Sequence, residues 1–281
     1  MTSHNRQQRK GIAQETIDIL EQETYTISKK TVSIASPLAA MRKGTTLYTP
    51  ADLDTLIAQQ QPAGQHQTEI DVVNTTTFKA ARTLIAEGYT NPLCLNFASA
   101  KNPGGGFLGG SQAQEEYLAR NSALYASLQL KPEYYEANRH HRSTLYTNHL
   151  IYSPSVPVFR AENSSLLPNP YTVSIITSPA VNAGAVHQNE PQNAEQIPAV
   201  MATRIRAVLS VARHQQHDTL VLGAWGCGVF RNKPQHIAQW FADALLEDDR
   251  FKSAFRRITF AVLDFRENTP TFTPFVNQFT I

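Results

Sequence analysis

The sequence predicts an α/β sandwich built on a largely buried central sheet. From residue 68 onward, apolar strand-like runs alternate with amphipathic helical patterns over about 200 residues. That order places helices against both faces of a sheet. The run "NPLCLNFA" at 91–98 is apolar along most of its length, as a strand covered on both sides would be.

Each element has its own local signal. Residues 5 to 22 set Ile12, Ile17, Ile19 and Leu20 among polar residues, the pattern of an amphipathic helix. "TYTISKKTVSIAS" at 24–36 alternates like a short strand pair, and 49–60 reads as a helix capped by Thr49 or Asp52. "QPAGQHQ" at 61–67 is the linker candidate. Residues 1–60 are therefore expected to form an accessory layer packed on a core spanning 61–281. In that core, 68–74 reads as a strand and 76–88 as a helix stopped by Gly88. A strand at 92–99 leads through a glycine loop into a helix at 113–128. Residues 132–170 are less regular and suggest a helix and a strand hairpin. A strand follows at 171–182. The helix at 194–215 aligns Ile197, Val200, Met201, Ile205, Val208, Leu209 and Ala212 on one face. A strand at 218–225, a helix at 234–247 and a strand at 256–265 complete the series.

Bulk composition narrows the function classes. With 281 residues, 41% hydrophobic and 17% charged, the chain has ample material for a buried core. A net charge of +2 gives no strong nucleic-acid signature. Cys94 and Cys227 are the only cysteines, without metal-ligand spacing, which favours a reducing compartment. The polar start shows no secretory signal and no apolar run reaches a membrane span, so a cytoplasmic protein without a membrane partner is expected. Scattered histidines give no metal site.

The chemistry concentrates at "NFASAKNPGGGFLGGSQAQEEYLARNSALY", residues 96–125. A strand, a glycine-rich loop and a helix start can hold a phosphate or ribose-phosphate. The P-loop and dinucleotide spacings are both absent. Instead Gly104, Gly105 and Gly106 are followed, seven residues on, by Gln114, Glu115 and Glu116. The acids would complement the helix dipole in any protein. Joined to a glycine loop they point further, because a phosphate cradle has no use for carboxylates unless they do chemistry. Adjacent helical residues diverge by about 100°, so the pair cannot serve as the opposed carboxylates of an ordinary inverting glycosidase. A donor carboxyl here needs a raised pKa, which partial burial beside a second carboxylate would supply.

This segment resembles the catalytic signature of the poly(ADP-ribose) glycohydrolases, and specifically the bacterial-type members. "RKGIAQETIDIL…LYTP" near the start and the later "GAWGCGVFRN" are similar to that group too. The resemblance implies a macrodomain-like three-layer α/β/α sandwich with a mixed central sheet and an N-terminal helical extension. It also implies that Glu116 is the catalytic acid/base and that Glu115 hydrogen-bonds the ribose hydroxyls. Gly104 to Gly106 would wrap the distal ribose and diphosphate. Many macrodomains carry an Asn five residues before the glycines. Ser99 stands there in this chain, with Asn102 as a nearby substitute.

In "GAWGCGVFRN", residues 223–232, the glycines serve at least as a strand-to-helix turn. The resemblance implies more: Gly226, Cys227 and Gly228 present N–H groups to the diphosphate, and Val229 and Phe230 complete the loop, with Phe230 against the ribose. Cys227 invites a nucleophile reading, but no fixed partner is identifiable. Asn182 and His187 are either pocket rim or surface loop, "NRHHR" at 138–142 is either a polyanion contact or a solvated turn, and Asp264 and Phe265 are candidates for adenine contacts.

The expected function is hydrolysis of ribose–ribose O-glycosidic bonds in poly(ADP-ribose), from chain ends, releasing ADP-ribose. The expected partner is the polymer or ADP-ribose on modified acceptors, with no cofactor and a monomeric chain. Two alternatives are a hydrolase of single ADP-ribose units on protein or nucleic acid, and a non-catalytic ADP-ribose-binding macrodomain. The second has no use for a general acid.

Overall fold

The computed structural model describes residues 4–64 and 66–280, so Gln65 of the expected linker lies outside the described residues. The chain opens with α1 (Arg6–Gln22), whose capping box pairs Asn5 with Gln8. The hairpin β1 (Thr24–Ile27) and β2 (Lys30–Ser33) stands apart as a two-stranded sheet. Next come α2 (Ala35–Gly44) and β3 (Thr46–Tyr48), neither foreseen in the sequence. α2 has no side-chain cap and buries only Leu38 and Met41, and three residues of strand carry no readable alternation. α3 (Pro50–Gln59) uses both expected caps, since Thr49 and Asp52 form a reciprocal capping box.

The core then runs β4 (Glu69–Val73), α4 (Thr77–Ala86), β5 (Leu93–Phe97), α5 (Gln114–Asn121), α6 (Leu124–Leu128) and α7 (Pro132–His140). A long hairpin, β6 (Leu150–Arg160) and β7 (Leu166–Ser178), leads to α8 (Ala183–Asn189) and α9 (Ile197–His214). β8 (Thr219–Leu222), α10 (Pro234–Ala242), β9 (Arg257–Ala261) and α11 (Phe272–Phe279) complete it. The helix expected at 113–128 is broken in two. Ser122 is extended (φ −147°, ψ 178°) and bridges Val158, while the Ala123 N–H donates to the Pro157 carbonyl at 2.9 Å. Pairing with β6 thus overrides local helical preference. α10 ends earlier than expected, in a π turn at Asp243–Glu247. α11 is a further helix beyond those expected from the sequence; its Phe279 stacks on Phe260 of β9 at 4.4 Å between ring centroids.

Seven strands form one mixed sheet in the order β3-β6-β7-β5-β8-β9-β4. β3, β6 and β7 pair antiparallel, and β7 through β4 pair parallel. Residues 46–48 of the expected accessory layer therefore pair with the core sheet as its edge strand. Alternating side chains divide the interior into two cores. Leu93, Leu95, Leu220 and Leu222 face α3, α9, α10 and α11. Cys94 and Val221 between them face α1, α2, α4, α5, α6 and α7. The result is the three-layer α/β/α sandwich. Among the described residues no helix is long and apolar enough to cross a membrane.

One buried network lies far from the glycine loops. His217 is buried, with Nε2 2.8 Å from the Tyr152 hydroxyl and Nδ1 3.1 Å from the Asn91 carbonyl. Desolvation lowers its pKa. A neutral ring suits both contacts, Nδ1 donating and Nε2 accepting. Because the folded pKa lies below the unfolded value near 6.5, its contribution is full above that value and lost as pH falls from there through the folded pKa. Chemical denaturation at pH 7.5 and pH 5 is expected to show a larger acid-induced loss for the wild type than for His217→Gln.

Candidate active site

The parallel strands end at one edge of the sheet, the edge where open α/β sheets bind ligands. The loop leaving β5 is organised first by Ser99, whose Oγ accepts the N–H groups of Lys101 at 3.3 Å and Asn102 at 3.1 Å. Gly104 and Gly105 then take φ values of +67° and +58°. A short 3-10 turn, Phe107–Gly109, and Gly110 at φ +76° carry the chain to α5.

The first turn of α5 holds both acids. Glu115 is buried at 3% exposure, and its carboxylate accepts the Ser99 N–H at 2.6 Å and Asn96 Nδ2 at 3.2 Å. Glu116 Oε1 accepts the Gly106 N–H at 3.0 Å. Its Oε2 is buried and has no hydrogen-bond partner among the described residues. Burial pushes the Glu115 carboxyl up to about 8, against the opposing pull of its hydrogen bonds. A carboxyl raised this far is mostly protonated at neutral pH, so Glu115 carries little of the charge that burial penalises.

The glycine amides have partners within the protein. The Gly105 N–H closes a turn onto the Asn102 carbonyl at 3.0 Å, the Gly106 N–H holds Glu116, and the Gly104 N–H adds to the hydrogen bonding of Glu115. The Gly104 and Gly106 amides thus serve the carboxylates, and the Gly105 amide closes the turn between them. Close approach is the second reason for glycine here. A Cβ on Gly105 would stand 2.5 Å from Glu116 Oε1 and 3.1 Å from Glu115 Oε2. Gln114 is likewise committed: its amide accepts from the Phe97 N–H at 2.9 Å and donates to the Leu95 carbonyl at 2.8 Å and Thr77 Oγ1 at 3.1 Å. It staples α5 to β5.

From the other side α1 grips the end of the same loop. Arg6 Nε donates to the Gly109 carbonyl at 2.9 Å, Arg9 Nε to the Gly110 carbonyl at 2.7 Å and Thr16 Oγ1 to the Arg120 carbonyl at 2.7 Å. Arg120 is buried beside the pair, its guanidinium pulled down to about 10 by desolvation with Glu116 opposing.

The loop leaving β8 has the free donors. Trp225 is fully buried and anchors it through Nε1 to the Ser178 carbonyl at 3.2 Å. Asn232 closes it, donating to the Val181 and Gly226 carbonyls at 2.8 and 3.1 Å. Among the described residues, the N–H groups of Gly226, Gly228, Val229 and Phe230 meet no protein acceptor. The Cys227 N–H is taken by the Ala224 carbonyl at 3.2 Å, so it is not one of the donors. Burial pushes the Cys227 thiol up to about 12, which disposes of a thiolate nucleophile. Val229 is 82% exposed at the tip, and Phe230 packs on Tyr146 with ring centroids 5.9 Å apart.

Between the ends of β4, β5, β8 and β9 lies a cleft of about 660 Å³. Cys227 and Gly228 form part of its wall and Gln114 another, so the carboxylates sit just past one end of it without lining it. Phe265 is 76% exposed at the opposite wall. Asp264 is buried beneath, accepting from Arg266 Nε at 2.9 Å and the Thr271 N–H at 2.6 Å, and Arg266 holds its carboxyl well below the usual range. Asp264 thus shapes the loop that carries Phe265. Asn182 caps α8 and exposed His187 lies on that helix, in place of the loop considered from sequence.

Residues 13–161 match the family model of the microbial-type PARG (poly(ADP-ribose) glycohydrolase) catalytic domain. Solved structures agree over more of the chain. The poly(ADP-ribose) glycohydrolase of Thermomonospora curvata bound to the inhibitor ADP-HPD is 44% identical, with a TM-score of 0.90 over 97% of this chain and 100% of that one. The chain belongs to the microbial-type poly(ADP-ribose) glycohydrolases. The glycohydrolase of Deinococcus radiodurans in complex with ADP-ribose is 50% identical, with a TM-score of 0.81 over 86% of this chain and 96% of that one. No curated protein sequence matches.

Several neighbours of the site had no sequence signal. Glu162, at the turn between β6 and β7, accepts from the Tyr117 hydroxyl and from Thr76 Oγ1, the latter at 2.6 Å. Arg204 is buried and donates to Asn148 Oδ1 and to the carbonyls of Pro179, Leu145 and Tyr146. It fixes the segment whose Tyr146 supports Phe230. Contacts between residues so distant in the chain leave no local pattern.

Two outcomes follow from the carboxylates. A carboxyl raised from 4.5 to about 8 makes a contribution to stability that is full below 4.5 and lost as pH rises through 8. The difference is on the order of 5 kcal/mol. Urea denaturation of Glu115→Gln is expected to gain on the wild type steadily between pH 5 and pH 8. Gly105→Ala, which combines an unfavourable φ with the 2.5 Å contact, is expected to fold and to lose at least about tenfold in turnover, from displacement of Glu116.

Proposed function

We propose that this chain hydrolyses the ribose–ribose O-glycosidic bonds of poly(ADP-ribose), working from chain ends and releasing ADP-ribose. The observation that carries the mechanism is Glu116, fixed through Oε1 by the Gly106 N–H and left with a buried, unpartnered Oε2. A carboxyl held by one oxygen and free at the other is equipped to pass a proton in a defined direction.

On this reading the adenosine of the terminal unit occupies the cleft against Phe265. Its diphosphate rests on the free N–H groups of Gly226, Gly228, Val229 and Phe230. The distal ribose then lies beside the glycine loop, against Glu116, and Glu115 engages its hydroxyls. Glu116 donates its proton to the departing oxygen, the adenosine ribose oxygen of the next unit, as positive charge develops at the anomeric carbon. The nearby diphosphate stabilises that charge. The Glu116 carboxylate then takes a proton from the attacking water, which restores the acid.

The preference for chain ends is supported by α1, which contributes Arg9 and the neighbouring His4 to the cleft wall and ties down the loop end at Gly109 and Gly110. A wall there leaves room for a terminal adenosine and obstructs a chain continuing past it.

Digestion of labelled polymer, with products separated by size, tests both points. The wild type is expected to give free ADP-ribose from the first time point. Glu116→Gln is expected to lose about 10²- to 10⁴-fold in rate while still binding ADP-ribose. Early oligomers would overturn the chain-end preference. A wild type that binds ADP-ribose yet leaves polymer intact would overturn the polymer assignment and direct attention to singly modified acceptors.

A further inference from the structure

The exposed basic segment at the end of α7 takes no part in the site described above. Arg139, His140, His141 and Arg142 are all exposed, as is Lys101 on the loop leaving β5. The two segments are joined: Arg139 Nη2 donates to the Lys101 carbonyl at 2.5 Å. Among the described residues, neither Lys101 nor Arg139 nor Arg142 is in an ion pair. Cations in the last turn of α7 complement its dipole, which is reason enough for Arg139 and His140. It is no reason for Arg142, beyond the helix, or for Lys101, on another loop.

The order of strands gives this cluster a direction. The cleft spans the ends of β4, β9, β8 and β5, and the carboxylates sit past its β5 end. The next strand outward is β7, and the loop leaving it meets the segment after α7, where the Asn182 N–H donates to the Thr144 carbonyl at 3.1 Å. A ligand laid from the cleft through the second glycine loop to Glu116 therefore leaves the protein toward Lys101 and residues 139–142. In the reading above, what leaves there is the remainder of the polymer, which carries two negative charges per diphosphate.

We propose that Lys101, Arg139 and Arg142 form a docking track for the part of the poly(ADP-ribose) chain beyond the scissile bond, gripping the diphosphate of the next unit or units. The track rests on the reading of this chain as a polymer hydrolase. It holds the leaving chain electrostatically and contributes nothing to the bond-breaking step. Its effect is confined to substrates long enough to reach it, and weakens with salt.

The test compares the wild type with Lys101→Gln/Arg142→Gln, which leaves the Arg139 link to the loop in place. KM and kcat are measured for long polymer over a range of salt concentrations, and ADP-ribose binding is measured by calorimetry. The expected result is a KM for long polymer raised several-fold, with kcat and ADP-ribose affinity unchanged. The slope of log KM against log salt is expected to fall by about one to two. An unchanged KM and salt slope would overturn the track, and so would an equal loss of ADP-ribose affinity, which would place the two residues at the cleft. Binding of long polymer to Glu116→Gln, with and without the two track substitutions, reports on the track when turnover is removed. A wild type that binds ADP-ribose and leaves the polymer uncut would overturn the underlying reading instead.

Discussion

The site depends on main-chain amides turned inward onto acids. Three consecutive glycines place their N–H groups against the Asn102 carbonyl and the carboxylates of Glu115 and Glu116. A buried carboxylate is costly unless it is hydrogen-bonded, and backbone donors supply most of those bonds here. Position is thereby set by the backbone, which has less freedom than a side chain. Glycine is required on two counts: the chain turns through positive φ at Gly104 and Gly105, and a Cβ at Gly105 would collide with Glu116.

A loop of this kind has little stiffness of its own, and the rest of the fold supplies it. Gln114 ties the start of α5 to β5, and α1 holds the far end of the loop through Arg6 and Arg9. The second loop is braced separately. Trp225 and Asn232 pin its two ends, and Arg204 orders the segment whose Tyr146 packs on Phe230. Arg204 is fully buried with only neutral oxygens around it, and desolvation pulls it down to about 10. Carbonyl dipoles from three residues, with the Asn148 amide oxygen, replace the water such a group would otherwise hold.

The two loops divide the work between them. The first spends its donors on the acids and offers a ligand an open approach; the second keeps four N–H groups unspent at the end of a strand. Between them the cleft is closed at the β6–β7 turn by Glu162, which gathers the Tyr117 hydroxyl and Thr76. One face of the sheet edge is thus acidic, the adjacent one a donor of backbone hydrogen bonds, as a diphosphate sugar requires.

Much of this was legible in the sequence. Periodicity located every strand of the parallel half of the sheet, because buried strands and amphipathic helices must repeat their apolar residues at fixed intervals. The spacing from Gly104 to Glu116 located the acids, because loop and helix start are continuous in the chain. What the sequence could not supply is whatever depends on two distant segments meeting. The break at Ser122 is imposed by β6, the three-residue strand β3 exists only because β6 offers it partners, and α11 is held by contacts with β9. Which of the glycine amides face acids and which remain free was likewise settled by packing, as was the raised pKa of Glu115. The sequence by itself determined the strands of the parallel half of the sheet and the placing of paired acids at the exit of a glycine loop. Tertiary structure decided where each donor points, because a hydrogen bond is fixed by distance and angle between atoms that the chain brings together only on folding.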